Sequence, residues 1–230
     1  MTRLATAALV TLVLSASAPA QGPLHVQYGG GPVKLSGEVA ARKAVAGMVA
    51  EKFPFAEITA DGNARGWNDK VAVLVVCSRT PDAEQSLALV LAASADAAEA
   101  ERVRNAVREC IFNGADDPKT PKRVAPDGGK VPAAPVSLFF KSEERTATPL
   151  LKHFAPVASL SMEKLGMGTK PDGPILVVGH GPSAMCVAAV GPTANALNAR
   201  FSVVTITHGR KPAEKLADDV LSRVVKVLYE

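Results

Sequence analysis

Aromatic residues are scarce, at 4% of the 230-residue chain, with a single tryptophan. A surface that stacks nucleobases needs rings in number, so this scarcity removes one route to nucleic acid. Runs of one charge are missing too. The net charge is +4, with Lys and Arg scattered among Asp and Glu, which removes the electrostatic route as well and excludes nucleic acid as a partner. Three cysteines are too few for a disulfide scaffold. Beyond the N-terminus no apolar stretch is long enough to span a bilayer, so no transmembrane segment is expected in the mature chain. The G-x-S-x-G, H-E-x-x-H and C-x-x-C patterns of serine hydrolases, zinc peptidases and dithiol enzymes are all absent.

What is present is a chain that is 47% hydrophobic and rich in Ala, Val and Leu, which predicts a core of small side chains and close helix–sheet packing. Residues 1–20 read as a signal peptide. Arg3 supplies the positive start, Ala5 to Leu14 the short apolar run, and Ala18-Pro19-Ala20 the small-residue cleavage site ahead of Gln21. The expected location is secreted or periplasmic. In such a compartment one pair among Cys77, Cys110 and Cys186 can close, in any of three ways, or all can remain as small buried hydrophobes.

Along the chain, Leu24 to Tyr28 and Val33 to Leu35 predict a hairpin about the Gly29-Gly30-Gly31-Pro32 break. A helix is expected from Glu38 to Phe53, a short strand from Phe55 to Ala60, and a loop from Asp61 to Lys70 that carries Trp67. The unbroken apolar runs Val71 to Cys77 and Leu87 to Ala92 predict strands covered on both faces. A helix capped by Ser94 or Asp96 follows, to about Phe112. Residues 116–135, with their prolines and adjacent glycines, read as a linker. Then come a strand from Val136 to Phe140, a helix from Thr148 to about Leu165 kinked or split at Pro156, two apolar strands flanking a small-residue segment, Met185 to Val190, that reads as helix or as a third strand, and a helix from Pro212 to Tyr229.

The halves, residues 21–115 and 136–230, read alike: each gives a strand, a helix, three strands and a helix. Leu74 to Cys77 matches Leu176 to Gly179, and Leu89 to Leu91 matches Val203 to Ile206. The expected fold is α/β or α+β, two similar halves each with a small sheet covered by helices, as from an internal duplication.

The residues between Gly173 and Gly209 hold the only crowding of strand ends, glycines, histidines and a cysteine. Gly179-His180-Gly181-Pro182-Ser183-Ala184 has the form G-x-G-x-x-A of a phosphate-cradling turn, which makes Gly179, Gly181 and Ser183 candidate cofactor-binding residues if a helix follows. If no helix follows, the same residues make a glycine turn between strands. His180 and His208 end two strands. Were those strands parallel neighbours, both imidazoles would emerge at one edge and Cys186 could join them as zinc ligands. The hydrophobic run ending in Gly179-His180-Gly181 resembles the first strand of class II, sirohydrochlorin-type metal chelatases, although the family's acidic partner downstream has no counterpart here. Gly31 to Ile58 resembles the strand-to-helix passage of BON domains, small envelope modules, and implies a binding role. Two functions are therefore expected: a non-enzymatic binding or envelope-associated protein, or an enzyme or metal- or anion-binding protein acting at the Gly179–Ala184 loop. Neither cofactor nor partner is named by any motif.

Overall fold

The computed structural model describes residues 24–79, 86–114, 120–126, 131, 133–182, 184–193, 195 and 197–230. The signal-peptide assignment lies outside the described residues, as do most of residues 116–135.

The first half runs β1 (His25–Val33), α1 (Gly37–Ala50), β2 (Phe55–Ile58), β3 (Ala64–Trp67), β4 (Val71–Arg79), β5 (Ser86–Ser94) and α2 (Ala97–Asn113), and is joined by β6 (Arg123–Val124). The second runs β7 (Ser137–Thr146), α3 (Phe154–Glu163), β8 (Gly168–Pro171), β9 (Leu176–His180), β10 (Ala184–Pro192), β11 (Asn198–Thr207) and α4 (Arg210–Tyr229). The sheet orders are β1-β5-β4-β3-β2-β6 and β7-β11-β10-β9-β8, with every pairing antiparallel. Apart from β6 the two orders are the same, strand for strand, so the halves share one topology. The fold is α+β.

Each helix is held by its own sheet. On β4, Val73 and Val75 pack under α1 and α2 with Ala44, Val45, Val103 and Val107. On β10, Cys186, Ala188 and Val190 pack under α3 and α4 with Ala158, Val220 and Val224. The alternate residues of the same strands point the other way. There Leu74, Val76 and Leu91 meet Met185, Val187 and Ile206 in a third cluster shared by both sheets. The layers are thus helices, sheet, sheet, helices, and β10 and the Val71–Cys77 run of β4 are apolar because both of their faces are covered.

Local chemistry fixes the helix ends. Ser36 Oγ accepts from Val39 N at the start of α1, and Asp96 Oδ1 accepts from Ala98 N and Glu99 N at the start of α2. The helix expected from Thr148 is split, two residues before Pro156. A 3-10 turn, Pro149–His153, capped by Thr148, hands over to α3 at Phe154. Pro156 thereby falls in the first turn of α3, where its missing N–H is not needed.

Several expectations are corrected. Leu24 to Leu35 is not a hairpin: β1 runs straight through Gly29-Gly30-Gly31 and pairs with β5 from His25↔Ser94 to Val33↔Ser86. A Cβ at Gly30 would lie 2.1 Å from the Ala88 carbonyl oxygen, so glycine serves close approach there and not a turn. Residues 61–70 are not all loop, because β3 lies within them, and β8 was not foreseen. Each half therefore has four strands between its helices, and the counterpart of β4 is β10, not β9 as the matched runs suggested. Residues 116–135 are not only a linker, since β6 pairs with β2 through Ala56↔Val124 and Glu57↔Arg123.

Candidate functional site: two clefts between the sheets

The sheets touch at their centres and part at opposite ends, leaving two clefts. The first, about 550 Å³, lies between the β2–β3 edge of the first sheet and β7 of the second. The second, about 440 Å³, lies between β1 and β5 of the first sheet and β9, β10 and β11 of the second. Matching the halves strand for strand carries β1 to β7 and β3 to β9, and so carries one cleft onto the other. They are duplicates in position and differ in chemistry.

The second cleft is apolar. Leu87, Leu89, Ile175, Leu176, Val187 and Val204 line it. It stays open because small residues lie on the facing surfaces, Gly30 on β1 against Ala189 and Gly191 on β10. Polar groups are few and at its rim. Arg200 donates to Glu144 Oε1 from Nε at 3.0 Å and also from Nη2. Tyr28 and Asp172 approach each other from the two halves. Burial first, and then the negative charge of Asp172, push the Tyr28 phenol above its ordinary value.

The first cleft sets charged and polar groups among apolar ones, with Glu57, Asp61, Asn63 and Arg65 beside Trp67, Leu138 and Phe140. Arg65 donates to Glu57 Oε1 from both Nε and Nη2, at 2.8 and 2.5 Å. Its guanidinium carbon also lies 5.8 Å from the centroid of the Trp67 ring, which rests on Phe55 with centroids 4.2 Å apart. Asn63 is buried and its Oδ1 accepts from Cys77 N at 3.0 Å, fixing the loop that enters β3.

The residues singled out by the sequence are not brought together. β9 and β11 do run parallel to each other, but β10 lies between them. The ends that carry His180 and His208 are therefore two strand spacings apart, about 10 Å. His180 is exposed and pairs with Met185, so it shares the face that Met185 turns toward the other sheet. Cys186 pairs with Gly179 and is fully buried on the opposite, helix-covered face. His208 borders a separate cavity of about 520 Å³ with Asp69, Asp96 and Glu99 of the first half. Among the described residues no group of three His, Cys, Asp or Glu is placed to hold a metal ion.

The G-x-G-x-x-A turn leads into β10, not a helix, so the pyrophosphate-binding context is missing. Gly181 N–H is spent on the Ala184 carbonyl at 2.8 Å, closing the turn between β9 and β10. Gly179 lies inside β9, where a Cβ would come within 2.7 Å of Met162 Sδ on α3, so it serves helix packing. Ser183 lies outside the described residues.

The three thiols are free. Burial pushes Cys77 up to about 12 and Cys186 further still. Partial burial also raises Cys110, with the nearby Lys43 acting in the opposite sense.

Sequence reasoning missed the residues that matter in both clefts, Tyr28, Arg65, Asp172 and Arg200 among them. One signal was available: Leu24, Val26 and Tyr28 keep a two-residue period that continues through Gly30, which is a strand's period.

No described helix is long and apolar enough to cross a membrane. No protein-family model matches the chain, and no curated protein matches it. Among solved structures it is distantly similar to the di-domain ARO/CYC BexL from the BE-7585A biosynthetic pathway, with a TM-score of 0.29 and 9% identity over 89% of this chain and 96% of that one. It is similarly distant from the di-domain ARO/CYC StfQ from the steffimycin biosynthetic pathway, with a TM-score of 0.28 and 9% identity over 88% of this chain and 92% of that one.

Proposed function

We propose that this chain is an exported, non-enzymatic binding protein whose apolar cleft takes a small ligand with an apolar body and one polar end. Export is supported by the order of Arg3, apolar run and Ala18–Ala20. The carrying observation for binding is the second cleft, about 440 Å³ and lined by aliphatic side chains, with Tyr28, Asp172, Arg200 and Ser202 as its few polar groups. That combination suits a ligand whose affinity comes from burial and whose orientation comes from one or two hydrogen bonds.

The test is a titration of the folded protein with anilinonaphthalene sulfonate, which has an apolar body and an anionic end. Saturable binding at one site is expected, abolished by Ala189→Phe, which fills the cleft, with the melting temperature kept. Binding that persists in Ala189→Phe, or no saturable binding at all, contradicts the proposal.

A further inference from the structure

The duplicated cleft has been given a different chemistry, and that chemistry points to a different ligand. In the first cleft Glu57 uses Oε1 for Arg65, while its Oε2 meets Arg123 Nε at 3.7 Å, beyond hydrogen-bond distance. One carboxylate oxygen is thus left able to accept from a ligand. The Arg65 side chain is 43% exposed and keeps donors in reserve. The Glu57–Arg65 pair cancels its own charge at the floor, and Asp61 stands exposed at the mouth. Trp67 lines the same space from one sheet, with Phe140 facing it from the other.

Glu57 and Asp61 balance Arg65 and the neighbouring Arg123, so the cleft offers an anion no excess of positive charge, and a purely apolar ligand would strip water from three charged groups. Hydroxyl groups both donate and accept, and so match a carboxylate beside a guanidinium. The apolar face of a ring matches an indole. We propose that this cleft is a second binding site, for a neutral polyhydroxylated ring ligand of the saccharide class. The inference does not depend on what the apolar cleft binds.

Trp67 is the only tryptophan of the chain, so its emission reports on this cleft alone. The full chain is titrated with maltotriose and with chitotriose, with inorganic phosphate as the anion control. One saccharide is expected to shift Trp67 emission saturably, and Glu57→Gln to weaken that response by about tenfold or more. Asp61→Asn, at an exposed position, is expected to weaken it as well, and covers the case in which Glu57→Gln does not fold. Anilinonaphthalene sulfonate binding is expected to be unchanged in both variants. A response to phosphate alone, a saccharide response that survives the substitutions, or no response to either saccharide overturns the proposal.

Discussion

Lys43 Nζ, on α1, donates a 2.7 Å hydrogen bond to the carbonyl oxygen of Gly114, the residue that closes α2. The residue is 8% exposed, so its aliphatic stem is buried and the ammonium meets the negative end of the neighbouring helix. Lys43→Met keeps most of the stem and removes the charge. It is expected to cost about 1–2 kcal/mol, from the loss of a charged hydrogen bond. Urea denaturation of the variant beside the parent measures it.

The Tyr28–Asp172 pair predicts an alkaline signature. The folded Tyr28 holds its proton above the ordinary value of 10.0, through burial and then Asp172. Its contribution to stability is fully present below the unfolded value and is lost as pH rises through the folded one. Tyr229, the other tyrosine, is raised as well, mainly by burial. The absorbance titration of the native protein is therefore expected to fall late for both phenols. Asp172→Asn is expected to bring forward the Tyr28 portion only, and part of the way, because burial remains.

Two glycines should respond oppositely. Gly30→Ala would set a Cβ 2.1 Å from the Ala88 carbonyl oxygen and 2.8 Å from Leu89 Cα, and backbone cannot swing aside as a side chain can. A loss of about 3 kcal/mol or more is expected. Gly181 is not among the glycines with positive φ, and its nearest Cβ contact would be an ordinary 3.6 Å. Gly181→Val is expected to change stability by less than about 1 kcal/mol. Thermal melts of the two variants decide the matter, and a large loss in Gly181→Val would contradict the geometry.

Thiol reactivity should follow burial. Cys77 and Cys186 are buried and their thiols held protonated, while Cys110 is part-exposed. In the native protein an aromatic disulfide reagent is expected to label Cys110 first and slowly, with Cys77 and Cys186 appearing only on unfolding. Early labelling of Cys186 would show that the face under α3 and α4 opens more readily than its packing implies.

Much of the fold was legible because much of it is periodic. The apolar runs of β4 and β5, the Ser94–Asp96 cap region before α2, and the stripe Leu216, Val220 and Val224 on α4 each announce an element by themselves. The short strands did not. Ala64-Arg65-Gly66-Trp67 and Gly168-Thr169-Lys170-Pro171 carry too few apolar residues for a period, and are strands because a neighbour supplies their hydrogen bonds. Gly29-Gly30-Gly31 reads as punctuation in sequence and as close packing in space. The clefts were illegible for a further reason. Each depends on faces contributed by residues far apart in the chain, such as Arg65 and Phe140 in the first and Leu89 and Val204 in the second, and no local spacing records which of a strand's two faces will meet which partner. The emphasis on His180, Cys186 and His208 followed proximity in the chain. Alternation then sent His180 and Cys186 to opposite faces.

The sheet faces that meet at the centre of the molecule have a further consequence. The core around Leu74, Leu91, Met185 and Ile206 is built so that one half completes the other, and the connecting segment, besides lending β6 to the first sheet, keeps the partner near at hand. Nothing in that complementarity requires both halves to come from one chain. Cleavage within residues 116–135 is expected to leave two fragments that elute together under native conditions. Chains refolded at high concentration are expected to trade halves, giving reciprocal dimers in which each molecule completes its neighbour.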